Sequence, residues 1–93
     1  MKAIWNNTIL ADSNNTKLIE QNYYFPPSSI RMEYLKKSGS KYTCPWKGMC
    51  DYYHIVVDGE VNTDAAWVYE YPKEAAKEIS GYFAFWKGIK IIP

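Results

Sequence analysis

The pair Asp58-Gly59 limits this chain more than any other feature. It is flanked by Ile55-Val56-Val57 on one side and Glu60-Val61 on the other. Asp-Gly readily takes the positive-φ positions of a tight hairpin turn, so its flanks are expected to pair as antiparallel strands. Asp51 to Val57, dense in β-branched and aromatic residues, is the clearest strand in the sequence.

Similar punctuation recurs along the chain. Asn6-Asn7 lies between two alternating stretches, Lys2 to Trp5 and Thr8 to Ala11. Asparagine tolerates positive φ, so this also reads as a hairpin turn. Asp12-Ser13-Asn14-Asn15 makes a polar turn, and Thr16 to Gln21 a third short strand. Pro26-Pro27 then breaks the meander, because proline cannot donate to a ladder. Ser28-Ser29 opens a single helical turn. Ile30 to Leu35 reads as helix or strand; the strand reading is favoured because it gathers Ile30, Met32 and Tyr34 on one apolar face, with Arg31, Glu33 and Leu35 on the other. Lys36 to Lys41, with Ser38-Gly39-Ser40 inside it, reads as a solvated loop. Ala65 to Tyr71 is a strand with Ala65, Trp67, Tyr69 and Tyr71 on one face.

Pro72 to Ile79 is the one expected helix. Pro72 suits the first helical position, Glu74 the first turn, and Gly81 the exit. Tyr82 to Trp86 and Ile89 to Ile92 complete the pattern as a last hairpin across Lys87-Gly88. The prediction is one mainly-β domain over residues 1–93. Its architecture is a small sandwich or half-open barrel of short antiparallel strands.

Composition narrows the function. A chain of 93 residues makes a small core. Nine tyrosines and four tryptophans are many large, polar-tipped rings for such a core, and some must meet water or a ligand. Formal net charge is +1, with no basic patch, so nucleic acid is not an expected partner. The N-terminus has no apolar signal-like region, and no run approaches the ~20 apolar residues of a membrane span. The expected compartment is the cytoplasm, where Cys44 and Cys50 would be free thiols.

The densest chemistry lies in Tyr42-Thr43-Cys44-Pro45-Trp46-Lys47-Gly48, continuing through Cys50-Asp51-Tyr52-Tyr53. Cys44 becomes a nucleophile only if a cation or base stabilises its thiolate. Lys47 is near enough in a turn to help, and His54, the only histidine, would have to be the base. The simpler reading of Cys44 is a small buried hydrophobe. Cys44, Cys50 and His54 lack the fourth ligand and the tight Cys pairs of structural zinc, so neither metal nor cofactor is expected. Arg31 is either half of a surface ion pair with Glu33 or an anion anchor presented to a cleft. Trp46, Tyr53, Trp67 and Tyr69 are candidates for an aromatic cluster open to a ligand.

Several of these segments together resemble a known family. They are Trp5-Asn6, Tyr24-Phe25-Pro26-Pro27, Arg31-x-Glu33, Cys44-Pro45-Trp46-Lys47-Gly48, Tyr52-Tyr53, Val57-Asp58-Gly59, Ala65-Ala66-Trp67 and Gly81-Tyr82-x-Ala84-Phe85. In this combination the chain resembles the domain-of-unknown-function family DUF427, over nearly its whole length. The resemblance implies a small β-tent, or Mss4-like, architecture. Zinc-bearing relatives of that architecture use Cys-x-x-Cys knuckles, which this chain lacks. A nucleotidyltransferase label attached to the family finds no Gly-Ser with a following Asp-x-Asp and no phosphate loop here. Asn7 stands where the family more often has glycine, and Cys50 where it has a small or polar residue. Cys44 is therefore the thiol of interest.

The resulting expectation is a small-molecule-binding domain. Tyr24, Arg31, Trp46, Lys47, Tyr53 and Trp67 would line a pocket for a polar or anionic ligand. The alternative is an enzyme with Cys44 as nucleophile or redox thiol. A further alternative is a structural or protein-interaction module, and an uncovered edge strand would make a homodimer easy.

Overall fold

Two of the three hairpins read from sequence are present in the computed structural model, which describes residues 1–93. Strand β1 (Lys2–Trp5) pairs antiparallel with β2 (Thr8–Asp12) across Asn6-Asn7, whose φ values are 51° and 57°. Strand β6 (Gly48–Val57) pairs with β7 (Glu60–Val68) across Asp58-Gly59, at φ 51° and 79°. The two turns meet: Asn6 Nδ2 donates to Glu60 Oε2 at 2.9 Å and to Val57 O at 3.4 Å.

Between them lies a third hairpin, β3 (Lys17–Ile19) with β4 (Asn22–Tyr24), turning at Glu20-Gln21. The remaining strands are β5 (Leu35–Cys44), β8 (Phe83–Phe85) and β9 (Lys90–Ile92). They assemble into three antiparallel sheets, ordered β2-β1-β9, β3-β4 and β5-β6-β7-β8, with no closed barrel. Phe25 ties the small hairpin to the large sheet through paired backbone hydrogen bonds with Phe83, at 2.7 and 2.9 Å.

Four local expectations are corrected. Ile30 to Leu35 is not a strand. Ile30 makes an isolated bridge to Ala11, and Met32–Tyr34 is a 3₁₀ turn, which ends the alternation on which the strand reading rested. Lys36 to Lys41 is not a loop but the middle of β5, where the ladder to β6 shifts register between Lys37 and Lys41. This strand edges its sheet, and its exposed lysines are what a solvent-facing edge uses to resist further pairing. The expected helix is shorter than Pro72 to Ile79. It covers Glu74–Ile79, is 3₁₀ rather than α, and breaks at Ala76. Six residues are too few to repay α-helix nucleation without stronger packing. Finally, β8 and β9 turn at Lys87-Gly88, both at positive φ, but do not pair with each other. β8 joins β7, and β9 joins β1.

Alternation across the large sheet gives it two unlike faces. One face contributes Leu35, Ile55, Val57, Ala66, Val68, Phe83 and Phe85 to a core of fourteen buried residues. Ala3, Leu10, Ala11 and Phe25 close that core from the other sheets and the Phe25 bridge. The opposite face carries a second cluster of seven, with Tyr24, Cys44, Cys50, Tyr69, Ala76, Ile79 and Ala84. It is flanked by half-buried Tyr52, Trp67 and Tyr82. No helix is long and apolar enough to cross a membrane.

Candidate functional site

The second face does not close. An open cavity of about 500 Å³ lies over it. Its floor is read off the ladder: Tyr42 opposite Cys50, and Tyr52 opposite Trp67. Tyr69 and Trp86 continue the same face beyond the paired strands. Tyr24 of β4 leans over it, and the segment Pro45-Trp46-Lys47 forms one wall.

The rings brace one another. Trp86 stacks on Tyr52 with centroids 6.3 Å apart, and meets Trp67 edge-on at 5.7 Å. Trp67 meets Tyr24 edge-on at 6.3 Å, and its Nε1–H donates to the Tyr24 hydroxyl at 3.2 Å. Trp86 Nε1–H donates to the backbone carbonyl of Asp64 at 2.6 Å. These contacts fix ring orientation without filling the space above them.

The Cys44-Pro45-Trp46-Lys47-Gly48 run is held from behind. The Lys73 amide donates to Lys47 O at 2.8 Å, and Lys73 Nζ to Pro45 O at 2.8 Å. Gly48 is needed at that approach. Its φ is 103°, and a Cβ there would lie 3.2 Å from the Lys73 nitrogen. The glycine thus lets the following helical segment press against the wall that presents Trp46 and Lys47.

Lys47 is the one buried charged side chain, 6% exposed. Its Nζ donates to Glu20 Oε1 and sits 5.1 Å from the Trp46 ring centroid and 5.6 Å from that of Tyr69. Trp46 Nε1–H donates to the other oxygen of the same carboxylate at 3.3 Å. Burial disfavours the Lys47 ammonium, but the Glu20 hydrogen bond and nearby Tyr24 and Cys44 outweigh it, and its pKa is raised overall. Hydrogen bonds from Lys47 and then Trp46 hold the Glu20 carboxyl below its usual range. Burial pushes the Cys50 thiol and the Tyr24 and Tyr69 phenols upward, so these groups stay protonated near neutrality.

Of the residues singled out from sequence, Tyr24, Cys44, Trp46, Lys47 and Trp67 come together on this cavity. Arg31 and Tyr53 do not. Arg31 is exposed at the start of the 3₁₀ turn, its backbone amide bonds Leu10 O at 2.9 Å, and it forms no ion pair with Glu33. Tyr53 points to the opposite face of β6 and packs edge-on against Phe83 at 5.2 Å. His54 accepts a hydrogen bond at Nδ1 from the Asp64 amide at 3.0 Å and does not line the cavity wall with Cys44. No group of three or more His, Cys, Asp or Glu is placed to hold a metal ion.

Sequence reasoning missed Glu20, Asn22 and Trp86, and it singled out the stretch holding Tyr42 and Tyr52 without assigning either to the pocket. Tyr52 and Trp86 had a usable signal, because strict alternation from Cys50 and from Ala84 puts them on the cavity face. Glu20 had none, since its turn contains neither glycine nor asparagine.

A mainly-β domain with an open aromatic cavity beside a buried lysine is therefore the class that fold and site define. The chain belongs to the family NTP_transf_9, described as a domain of unknown function (DUF427), whose model matches residues 1–91. No curated protein matches the chain.

Proposed function

We propose that this protein is a small-molecule-binding domain whose site is the aromatic cavity over β5-β6-β7-β8. One observation carries the reading. The cavity, about 500 Å³, is of ligand size and is walled mostly by aromatic rings, with Glu20, Asn22 and Lys47 as its polar side chains. The rings supply contact area, and Lys47 with Trp46 Nε1 supplies orientation. Kinship with the β-tent, or Mss4-like, architecture belongs to the same reading, supported by short antiparallel sheets grouped around an aromatic cleft. So does a cytoplasmic setting, supported by the two free cysteines.

Catalysis at Cys44 would use the same cavity, since its thiol lines the wall. It lacks a base there, because His54 is engaged with the Asp64 amide and the Glu20 carboxylate with Lys47. Binding is therefore the stronger reading.

The test is a screen of planar aromatic acids and amides for a saturable rise in melting temperature. Trp86 is 45% exposed, so Trp86→Ala removes a cavity ring with little damage to either core. Bound compounds are expected to lose about tenfold in affinity on Trp86→Ala, roughly 1.4 kcal/mol. Saturable binding unchanged by both Trp86→Ala and Trp67→Phe would put the ligand elsewhere and defeat the proposal.

A further inference from the structure

We propose that Lys47 and Trp46 form a carboxylate-binding fork that Glu20 occupies as a tethered stand-in. The cavity's ligand is then a carboxylate on an apolar or aromatic body, and it binds by displacing Glu20. This inference rests on the ligand-binding reading above and adds to it a ligand class and a gate.

The fork is visible in how Glu20 is held. Its two carboxylate oxygens are met by two different donors, Lys47 Nζ on Oε1 and Trp46 Nε1 on Oε2. Charge-assisted contacts of this kind select a planar two-oxygen anion. One lysine and one neutral indole suit a singly charged carboxylate. The cavity wall includes no arginine and no second lysine that a phosphate would use. A cationic ligand is disfavoured, because the negative charge of Glu20 is already engaged by Lys47.

The two partners are unequal, and the inequality is what makes Glu20 the replaceable one. Lys47 is buried, clasped by Trp46 and Tyr69, and its backbone is pinned by Lys73. A buried ammonium left alone is costly, so this position demands an anion. Glu20 has a side chain 53% exposed and can swing into water at little expense. Its backbone is also strained. Glu20 and Gln21 form a two-residue turn at φ 51° and 68°, a conformation that disfavours residues with a Cβ. The lowered pKa of the Glu20 carboxyl agrees with a seat that prefers an anion. The same cavity is lined by Trp67, Trp86 and Tyr52, against which the apolar body of an incoming acid would lie.

The experiment compares 2-naphthoate with its neutral isostere 2-naphthamide, titrated by tryptophan fluorescence into wild type, Glu20→Gln, Glu20→Ala and Trp46→Phe. The reading is the ratio of the two affinities in each protein. Removing the tethered carboxylate frees the fork, so the naphthoate preference should rise about tenfold in both Glu20 variants. It should fall in Trp46→Phe, which loses the second donor. A preference that stays the same or falls in both Glu20 variants, while naphthamide still binds, overturns the displacement and leaves the binding domain standing. Failure of both probes at millimolar concentration in all four proteins removes the binding reading and this inference with it.

Discussion

The two faces of the β5-β6-β7-β8 sheet are built from the same four strands and end differently. One face presents mainly aliphatic side chains and phenylalanine, which carry no polar atom, and it is sealed against β1, β2 and Phe25. The other presents tyrosine, tryptophan and cysteine, and it stays open. The difference follows from what each side chain requires. An aliphatic group is satisfied by contact alone. A buried phenol or indole needs a hydrogen-bond partner as well. Tyr24, Trp67 and Trp86 find theirs in one another and in a carbonyl, which fixes them as walls of a space.

The sharpest way to break this contrast is to cut one large residue from each side. Phe25 is fully buried on the sealed side, where it bridges two sheets. Phe25→Ala should cost about 3–5 kcal/mol in urea unfolding, from lost transfer energy and a residual cavity. Trp86→Ala on the open side should cost only about 1–2 kcal/mol, since its ring is already half in water. Equal losses would mean that the second face is an ordinary core.

Gly48→Ala tests the open face through its scaffold. The new Cβ meets the Lys73 backbone at 3.2 Å, and the φ of 103° is strained for any residue with a side chain. The expected loss is about 2–3 kcal/mol. Binding should weaken too, because the displaced wall carries Trp46 and Lys47. A stable Gly48→Ala protein with unchanged affinity would show that the close approach is not needed.

Alkaline titration separates the faces without mutation. Four of the five acidic groups whose pKa is raised by burial lie on the open face, Cys50, Tyr24, Tyr52 and Tyr69, and the fifth, Tyr53, lies on the sealed face. A raised folded pKa gives stability that is complete below the unfolded value and lost as pH climbs towards the folded one. The unfolded values are 9.0 for cysteine and 10.0 for tyrosine, so stability should decline gradually from about pH 9 upward. Cys50→Ser should postpone the onset. Glu20 acts in the opposite sense. Its lowered pKa contributes stability above 4.5 that is lost on acidification, a small effect for an exposed group. A flat profile from pH 8 to 11 would contradict the buried placement of the phenols.

The same division explains what was legible in the sequence. The Asn6-Asn7 and Asp58-Gly59 turns could be read because their residues announce positive φ. Glu20-Gln21 makes a comparable turn with residues that announce nothing, so β4 and the carboxylate it presents were hidden together. The failure at β8 and β9 was of another kind. The turn at Lys87-Gly88 was correctly placed, but pairing is decided by distant strands, β7 and β1, which local pattern does not specify. The site itself was half legible. The Cys44 to Gly48 run showed where the wall would be, whereas Arg31 depended on a strand that a 3₁₀ turn replaced. Tyr53, a pocket residue by its ring chemistry alone, belongs to the sealed face by one-residue alternation from Tyr52.

Tyrosines 24 and 53 finally offer a matched pair, one on each face, for the smallest and cleanest difference. Tyr24 is 1% exposed, and its hydroxyl accepts the Trp67 indole hydrogen bond at 3.2 Å. Tyr24→Phe keeps the ring but leaves that N–H without its partner, beside a cavity where water can reach it only in part. The loss should be about 1 kcal/mol. Tyr53 is half-buried and packs on Phe83 through its ring, and its hydroxyl makes no hydrogen bond within the chain. Tyr53→Phe should therefore fall within about 0.5 kcal/mol of wild type. Denaturant midpoints of the two variants under identical conditions give the comparison directly. If Tyr53→Phe were the more damaging, the polar tips would matter on the sealed face, and the physical distinction between the two faces would fail.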